Sequence, residues 1–184
     1  MKALRLLNLP NIITIGRIFI VPVVVWVLLA DEFLISLILF IIAGISDFID
    51  GWLARLQNLQ TLLGAYLDPF ADKLLMGSVY LTLGILGHIP IWLVLCVIFR
   101  DILIVSAIII AWLIEKPLRI SPLLISKINT VSQICLVVLT LFDLAFIVDL
   151  IQIRDVAYLL IAGTTIASTF AYLIVWVKII NIED

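Results

Sequence analysis

Four aspartates, Asp47, Asp50, Asp68 and Asp72, lie in segments that are otherwise almost wholly apolar. Asp47 and Asp50 are three residues apart and Asp68 and Asp72 four apart, so in a helix each pair shares one face. Carboxylates are hard oxygen ligands, and four of them around one cavity suit Mg2+ or Mn2+. Two such ions bridged by carboxylates can drive displacement at phosphorus. Gly51 and Ala54 lie on or beside the first acidic face, and Gly64 extends the second stripe. Small residues there let a backbone or a ligand come close. Arg17, Lys73, Arg100, Asp101 and Lys127 are further charges in apolar surroundings, and Asp143 lies near an outer span end, within reach of the interface. An ionised group at membrane depth costs about 2.5–3.5 kcal/mol on insertion scales, so it marks function unless it is paired. One Arg–Asp pair reads equally well as structural. With Asp101 counted, the acids of these segments outnumber the four cations available to pair them all.

The elements that carry these residues follow from composition. Of 184 residues, 65% are hydrophobic and 13% charged, the net charge is −2, and mean hydropathy is +1.36. A soluble domain has about twice that share of charge. The numbers exclude a soluble globular domain, a disordered chain and a nucleic-acid binder. Apolar runs broken at Pro10, Asp31–Glu32, Asn58, Gly87–Pro90, Lys116–Pro122 and Asp149–Asp155 predict six spans, near 11–30, 33–57, 62–86, 89–114, 123–147 and 156–180. The expected fold is all-α and integral to the membrane: one domain, residues 1–184, a six-transmembrane-helix bundle with a polar cavity facing the cytoplasm.

Orientation follows from the basic residues. Lys2, Arg5, Arg55, Lys116, Arg119 and Lys178 fall on one side and only Arg154 on the other, which predicts cytoplasmic N- and C-termini. Trp26, Trp52, Trp92, Trp112 and Trp176 fall toward span ends, as an aromatic belt would. Cys96 and Cys135 are expected as buried thiols, and His88 as a turn residue away from the site. The start of the chain shows no signal-peptide cleavage pattern, and the expected location is a bacterial inner membrane. The short joint after the second span makes spans two and three antiparallel neighbours, so the two acidic stripes can face each other. Asp68 and Asp72 then sit roughly 9–15 Å from the cytoplasmic end of their span.

The run Asp47-Phe-Ile-Asp50-Gly51-Trp-Leu-Ala54-Arg55, eight residues, then Gly64-Ala-Tyr-Leu-Asp68-Pro-Phe-Ala-Asp72 fills every fixed position of D-x2-D-G-x2-A-R-x8-G-x3-D-x3-D. This resembles the signature of the CDP-alcohol phosphatidyltransferase family, and the resemblance covers nearly the whole chain. It implies a six-span helical transferase, often homodimeric, that uses two divalent ions, Mg2+ or Mn2+. It implies that Asp47, Asp50, Asp68 and Asp72 hold metal and that Asp72 is also the catalytic base. A carboxylate beside two cations is a weak base, which makes that second role the most demanding. Gly51, Ala54, Arg55 and Gly64 would bind the CDP moiety. Arg17, Arg100 and Lys127 are candidates for the acceptor phosphate, with an Arg100–Asp101 or Arg100–Asp72 network as the alternative for Arg100.

The resemblance also bears on the acceptor. Phe99-Arg100-Asp101 and Leu124-Ile-Ser126-Lys127-Ile-Asn129-Thr130-Val-Ser-Gln133 are similar to segments of eukaryotic-type cardiolipin synthases. Synthases that accept glycerol 3-phosphate usually carry a second Lys where Asn129 stands. One cation fewer suits a monoanionic diester better than a dianionic phosphate. The expected reaction is therefore transfer of a phosphatidyl group from CDP-diacylglycerol to phosphatidylglycerol, with glycerol 3-phosphate as the alternative acceptor. A coupled transporter would show repeats and broken midplane helices. A membrane prenyltransferase would be longer. A non-catalytic lipid scaffold would tolerate Asn at the aspartates.

Overall fold

The computed structural model describes residues 9–56, 62–113 and 124–180, with side chains described for 13–47, 49, 67–107 and 124–177. These residues form six α-helices: α1 (Leu9–Leu29), α2 (Phe33–Leu56), α3 (Leu62–Ile85), α4 (Ile91–Leu113), α5 (Leu124–Phe146) and α6 (Ile151–Ile180). No strand occurs among the described residues. Each helix falls where the sequence places a span. The difference is at α6, which begins at Ile151, so that Arg154 and Asp155 lie inside a helix rather than in a joint.

The turns have clear local causes. After α3 the amide of His88 donates to the carbonyl of Leu83 (2.9 Å) and that of Gly87 to Gly84 (3.1 Å), with Gly87 at φ +80°. This is a Schellman cap, and its left-handed position favours glycine. The α1–α2 turn repeats it with Glu32 donating to Val27 and Asp31 to Leu28, and Asp31 takes the left-handed position at φ +59°. Aspartate is among the few residues that tolerate it. His88 sits in the turn as expected, its ring edge-on to Phe33 at 5.2 Å.

The chain divides into two compact units. The first takes the residues up to His88 together with Leu141–Val148, and in it α1 packs against both α2 and α3. Val24, Leu28, Ala43, Ala71, Val79 and Leu83 are buried there. Asp143 also belongs to this unit, three residues from the end of α5, and is 8% exposed. The second takes Ile89–Thr140 and Asp149 onward, with α4 packed against α6 around Leu93, Val94 and Ile161.

Burial runs against the rule for soluble proteins. Phe19, Trp26, Leu95, Phe99, Leu159 and Phe170 are exposed, whereas Thr14, Arg17, Arg100, Asn129 and Ser168 are buried. Water favours the reverse. Leu124–Phe146 and Ile151–Val177 are long and apolar enough to cross a membrane, and Ile13–Leu29 and Phe33–Asp47 are shorter apolar helices. The same outward apolar faces explain why the cysteines depart from expectation: both are free thiols, but Cys96 is half-buried and Cys135 exposed. An apolar run implies burial only where the outer face of its helix is polar. Hydroxyls inside these helices largely satisfy themselves, as Ser46 does on the Ile42 carbonyl and Thr82 on that of Ser78.

Candidate functional site

In the first unit, three of the four aspartates converge on α1. Arg17 Nη1 donates to Oδ1 of Asp47 on α2 and to Oδ1 of Asp72 on α3, at 2.6 Å each. Thr14 Oγ1 donates to Oδ1 of Asp68 at 2.6 Å. Thr14 and Arg17 are three apart on α1, and Asp68 and Asp72 are four apart on α3, so the two bonds form successive rungs. The rungs follow the same chain order on both helices, so α1 and α3 run parallel, with α2 antiparallel to both. Arg17 lies eight residues from the start of α1, Asp47 nine from the end of α2 and Asp72 ten from the start of α3. At about 1.5 Å per residue these depths differ by little more than one atom's width.

The electrostatics are uneven. Arg17 is 1% exposed, whereas the Asp47 and Asp72 side chains are 40% and 45% exposed. The cation is therefore sealed in the helix packing and its partners face an open side. Charge-assisted bonds of this length are worth about 1.5–3 kcal/mol each, less where the carboxylate is wet. Pro69 follows Asp68 inside α3, and its missing amide loosens the helical hydrogen bonding there.

The donor set can be tested against a divalent ion. Asp47 Oδ1 and Asp72 Oδ1 both lie 2.6 Å from one nitrogen, so they already surround a single cationic point. The donors are hard oxygens on two helices, and Asp68 is one turn from Asp72. The residues present therefore fit such an ion. Among the described residues no three metal-binding side chains are already gathered around one point. Asp50 lies on α2, but its side chain falls outside the described residues, as do Gly51, Ala54, Arg55 and Gly64 beyond their place in α2 and α3.

The second unit holds a separate polar cluster. Arg100 on α4 is 4% exposed. Its Nη1 donates to Asp101 Oδ1 at 2.6 Å, and its Nη2 donates to Ser168 on α6 at 3.1 Å and closely to Ser126 on α5. This is the Arg100–Asp101 alternative raised by the sequence, extended by two serines. Asn129 is fully buried, and its Oδ1 accepts from the hydroxyls of Thr164 (2.8 Å) and Thr165 (2.9 Å). Lys127, two residues before it, is exposed.

Sequence reasoning placed the aspartates and Arg17 in one region but gave Thr14, Ser168, Thr164 and Thr165 no role. A usable signal existed for Thr14: it shares a helix face with Arg17 in a helix with few other polar residues. No comparable signal marks the α6 hydroxyls, which lie on a helix rich in Ser and Thr.

Residues 7–180 match the family model of the CDP-alcohol phosphatidyltransferases. The chain belongs to that family. It is 35% identical to the chloroplastic CDP-diacylglycerol–glycerol-3-phosphate 3-phosphatidyltransferase 1 of Oryza sativa subsp. japonica, across 91% of this chain and 56% of that protein. It is 32% identical to the cardiolipin synthases (CMP-forming) of Rattus norvegicus and Homo sapiens, in each case across 90% of this chain and 60% of the relative. The chain thus spans a little over half the length of these curated relatives.

Proposed function

We infer that the chain transfers a phosphatidyl group from CDP-diacylglycerol to a hydroxyl of phosphatidylglycerol, giving cardiolipin and CMP. The observation that carries this reading is the gathering of Asp47, Asp68 and Asp72 at one level of three packed helices, in a chain with the complete family motif. Asp47, Asp50, Asp68 and Asp72 are assigned to two divalent ions, Mg2+ or Mn2+, which when bound neutralise the diphosphate and the charge building on departing CMP.

The remaining steps belong to the chain. Asp72 takes the proton of the acceptor hydroxyl. The acceptor oxygen bonds to the phosphorus that carries diacylglycerol, and the bond from that phosphorus to the bridging oxygen breaks, releasing CMP. Gly51, Ala54, Arg55 and Gly64 are assigned to the CDP moiety, as the complete family motif implies. Arg17 is assigned to the acceptor phosphate. Arg100, already engaged by Asp101, Ser126 and Ser168, is assigned to holding α4, α5 and α6 together.

Asn129 supports phosphatidylglycerol as acceptor. A Lys there would replace a buried amide held by two hydroxyls and would bury a charge. Glycerol 3-phosphate is the second reading, favoured by the likeness to the rice protein, whose name specifies that acceptor. The exposed apolar faces support membrane-spanning helices, and the basic residues gathered at one set of helix ends support cytoplasmic termini.

Purified protein supplied with CDP-diacylglycerol and either acceptor tests the reading. Cardiolipin and CMP are expected with phosphatidylglycerol. A phosphatidylglycerophosphate product with glycerol 3-phosphate, and none with phosphatidylglycerol, would reverse the acceptor. Activity that survives EDTA would remove the metal mechanism.

A further inference from the structure

One buried charge does more than the proposed reaction asks of it. Arg17 is 1% exposed, and a single nitrogen of its guanidinium lies 2.6 Å from Oδ1 of both Asp47 and Asp72. Those oxygens belong to carboxylates assigned to divalent ions. The nitrogen therefore stands close to the place an ion would take. An ion at about 2.1 Å from both oxygens would press on that nitrogen with charge of the same sign. Both cations cannot use the two oxygens in this geometry.

Resting on the function above, we propose that Arg17 is a displaceable internal counter-cation. It offsets half the charge of Asp47 and Asp72 until a divalent ion is loaded, is released by that ion, and is then taken up by a phosphate diester anion. Each half has a physical cause. Two carboxylates drawn around one point repel each other without a cation between them. A guanidinium sealed in the helix packing is costly without an anion. Metal binding and anion binding are thereby linked, and each strengthens the other by the same factor. Thr14 separates Asp68 from this exchange, since that carboxylate is held by a neutral hydroxyl that competes with no ion.

The test is Mn2+ binding to the full chain in detergent without lipid substrate, followed by electron paramagnetic resonance. Arg17→Gln is expected to bind Mn2+ about tenfold more tightly than the unaltered chain, having lost a charge-assisted competitor. Equal or weaker binding overturns the proposal. Should that variant fail to fold, the unaltered chain gives its own readout. Modification of Arg17 by phenylglyoxal, read by mass spectrometry, is expected to rise several-fold on saturation with Mn2+, and no rise overturns the proposal. Dimethyl phosphate, a monoanionic diester, is expected to tighten Mn2+ binding several-fold in the unaltered chain, and no tightening overturns the anion half. Asp47→Asn separates the two levels. If it abolishes Mn2+ binding while Arg17→Gln does not tighten it, the metal site stands and the counter-cation falls. If it binds Mn2+ like the unaltered chain, both fall.

Discussion

Thr14 donates its hydroxyl to Asp68 at 2.6 Å across the α1–α3 interface, one rung from the Arg17–Asp72 pair. Threonine in an apolar helix usually bonds the carbonyl a turn earlier, as Thr82 does here. Thr14 also holds one oxygen of a carboxylate assigned to metal.

Removing that hydroxyl should therefore loosen Asp68 more than it disturbs packing. Thr14→Val keeps the shape and is expected to lower CMP release about tenfold, the size of one net hydrogen bond to a charged group. Thr14→Ser keeps the donor and should retain most activity. Equal losses in the two variants would show that the methyl group, not the hydroxyl, matters at this position.

The carboxylate assigned as base should respond differently from its neighbour. Asp72→Asn keeps an oxygen to accept from Arg17 but can take no proton. Loss of a positioned base costs about a hundredfold to ten-thousandfold in turnover. Asp47→Asn also keeps an acceptor for Arg17 and leaves the base in place. It is expected to lose activity that raised Mn2+ restores in part, whereas Asp72→Asn recovers little. Assays of CMP release across Mn2+ concentrations separate the two roles, and identical recovery would assign both residues to metal alone.

Much of the first unit was legible in the sequence. Acidic pairs at helical spacing, glycine and proline at the joints and the length of the apolar runs gave six helices within a few residues and put Asp47, Asp68 and Asp72 together. What stayed hidden was the choice of partners. Arg17 was readable as a buried cation, but an arginine among four acids serves either a carboxylate or a ligand phosphate, and spacing cannot choose between them. Asn129 and its two threonines were equally hidden, because each residue alone is an ordinary polar side chain on a helix. The cysteines were misjudged because apolar sequence marks burial only when the surrounding solvent is water.

Arg100 ties three helices of the second unit through one guanidinium. Arg100→Lys offers a single ammonium in place of the fork and should lose at least one partner. Arg100→Met leaves Asp101 without its cation. The expected loss is about 2–3 kcal/mol for Arg100→Met, an apparent Tm lower by roughly 5 °C or more. Ser168→Ala should cost about 1 kcal/mol. Thermal unfolding in detergent measures all three. An Arg100→Met chain that unfolds at the original temperature but loses activity would move Arg100 from the scaffold to the acceptor site.

Three described turns, at residues 30–32, 86–90 and 147–150, join α1 to α2, α3 to α4 and α5 to α6. If every helix crosses the bilayer, these turns share one face, opposite both termini. Glu32 and Val148 are exposed, and His88 lies in the second turn. Single cysteines placed by Glu32→Cys, His88→Cys and Val148→Cys, in a chain with Cys96 and Cys135 replaced by Ala, should all react with a membrane-impermeant maleimide from the outer side of intact cells. A cysteine replacing exposed Lys127, in the first turn of α5, should react only after permeabilisation. The charge bias predicts this side-specific pattern, because the outer turns carry Asp31, Glu32 and Asp149 while the basic residues gather at the other ends. Labelling of the three turns on different sides would break the six-span arrangement. It would also take the carboxylates of α2 and α3 away from the cytoplasmic depth that a nucleotide-activated lipid requires.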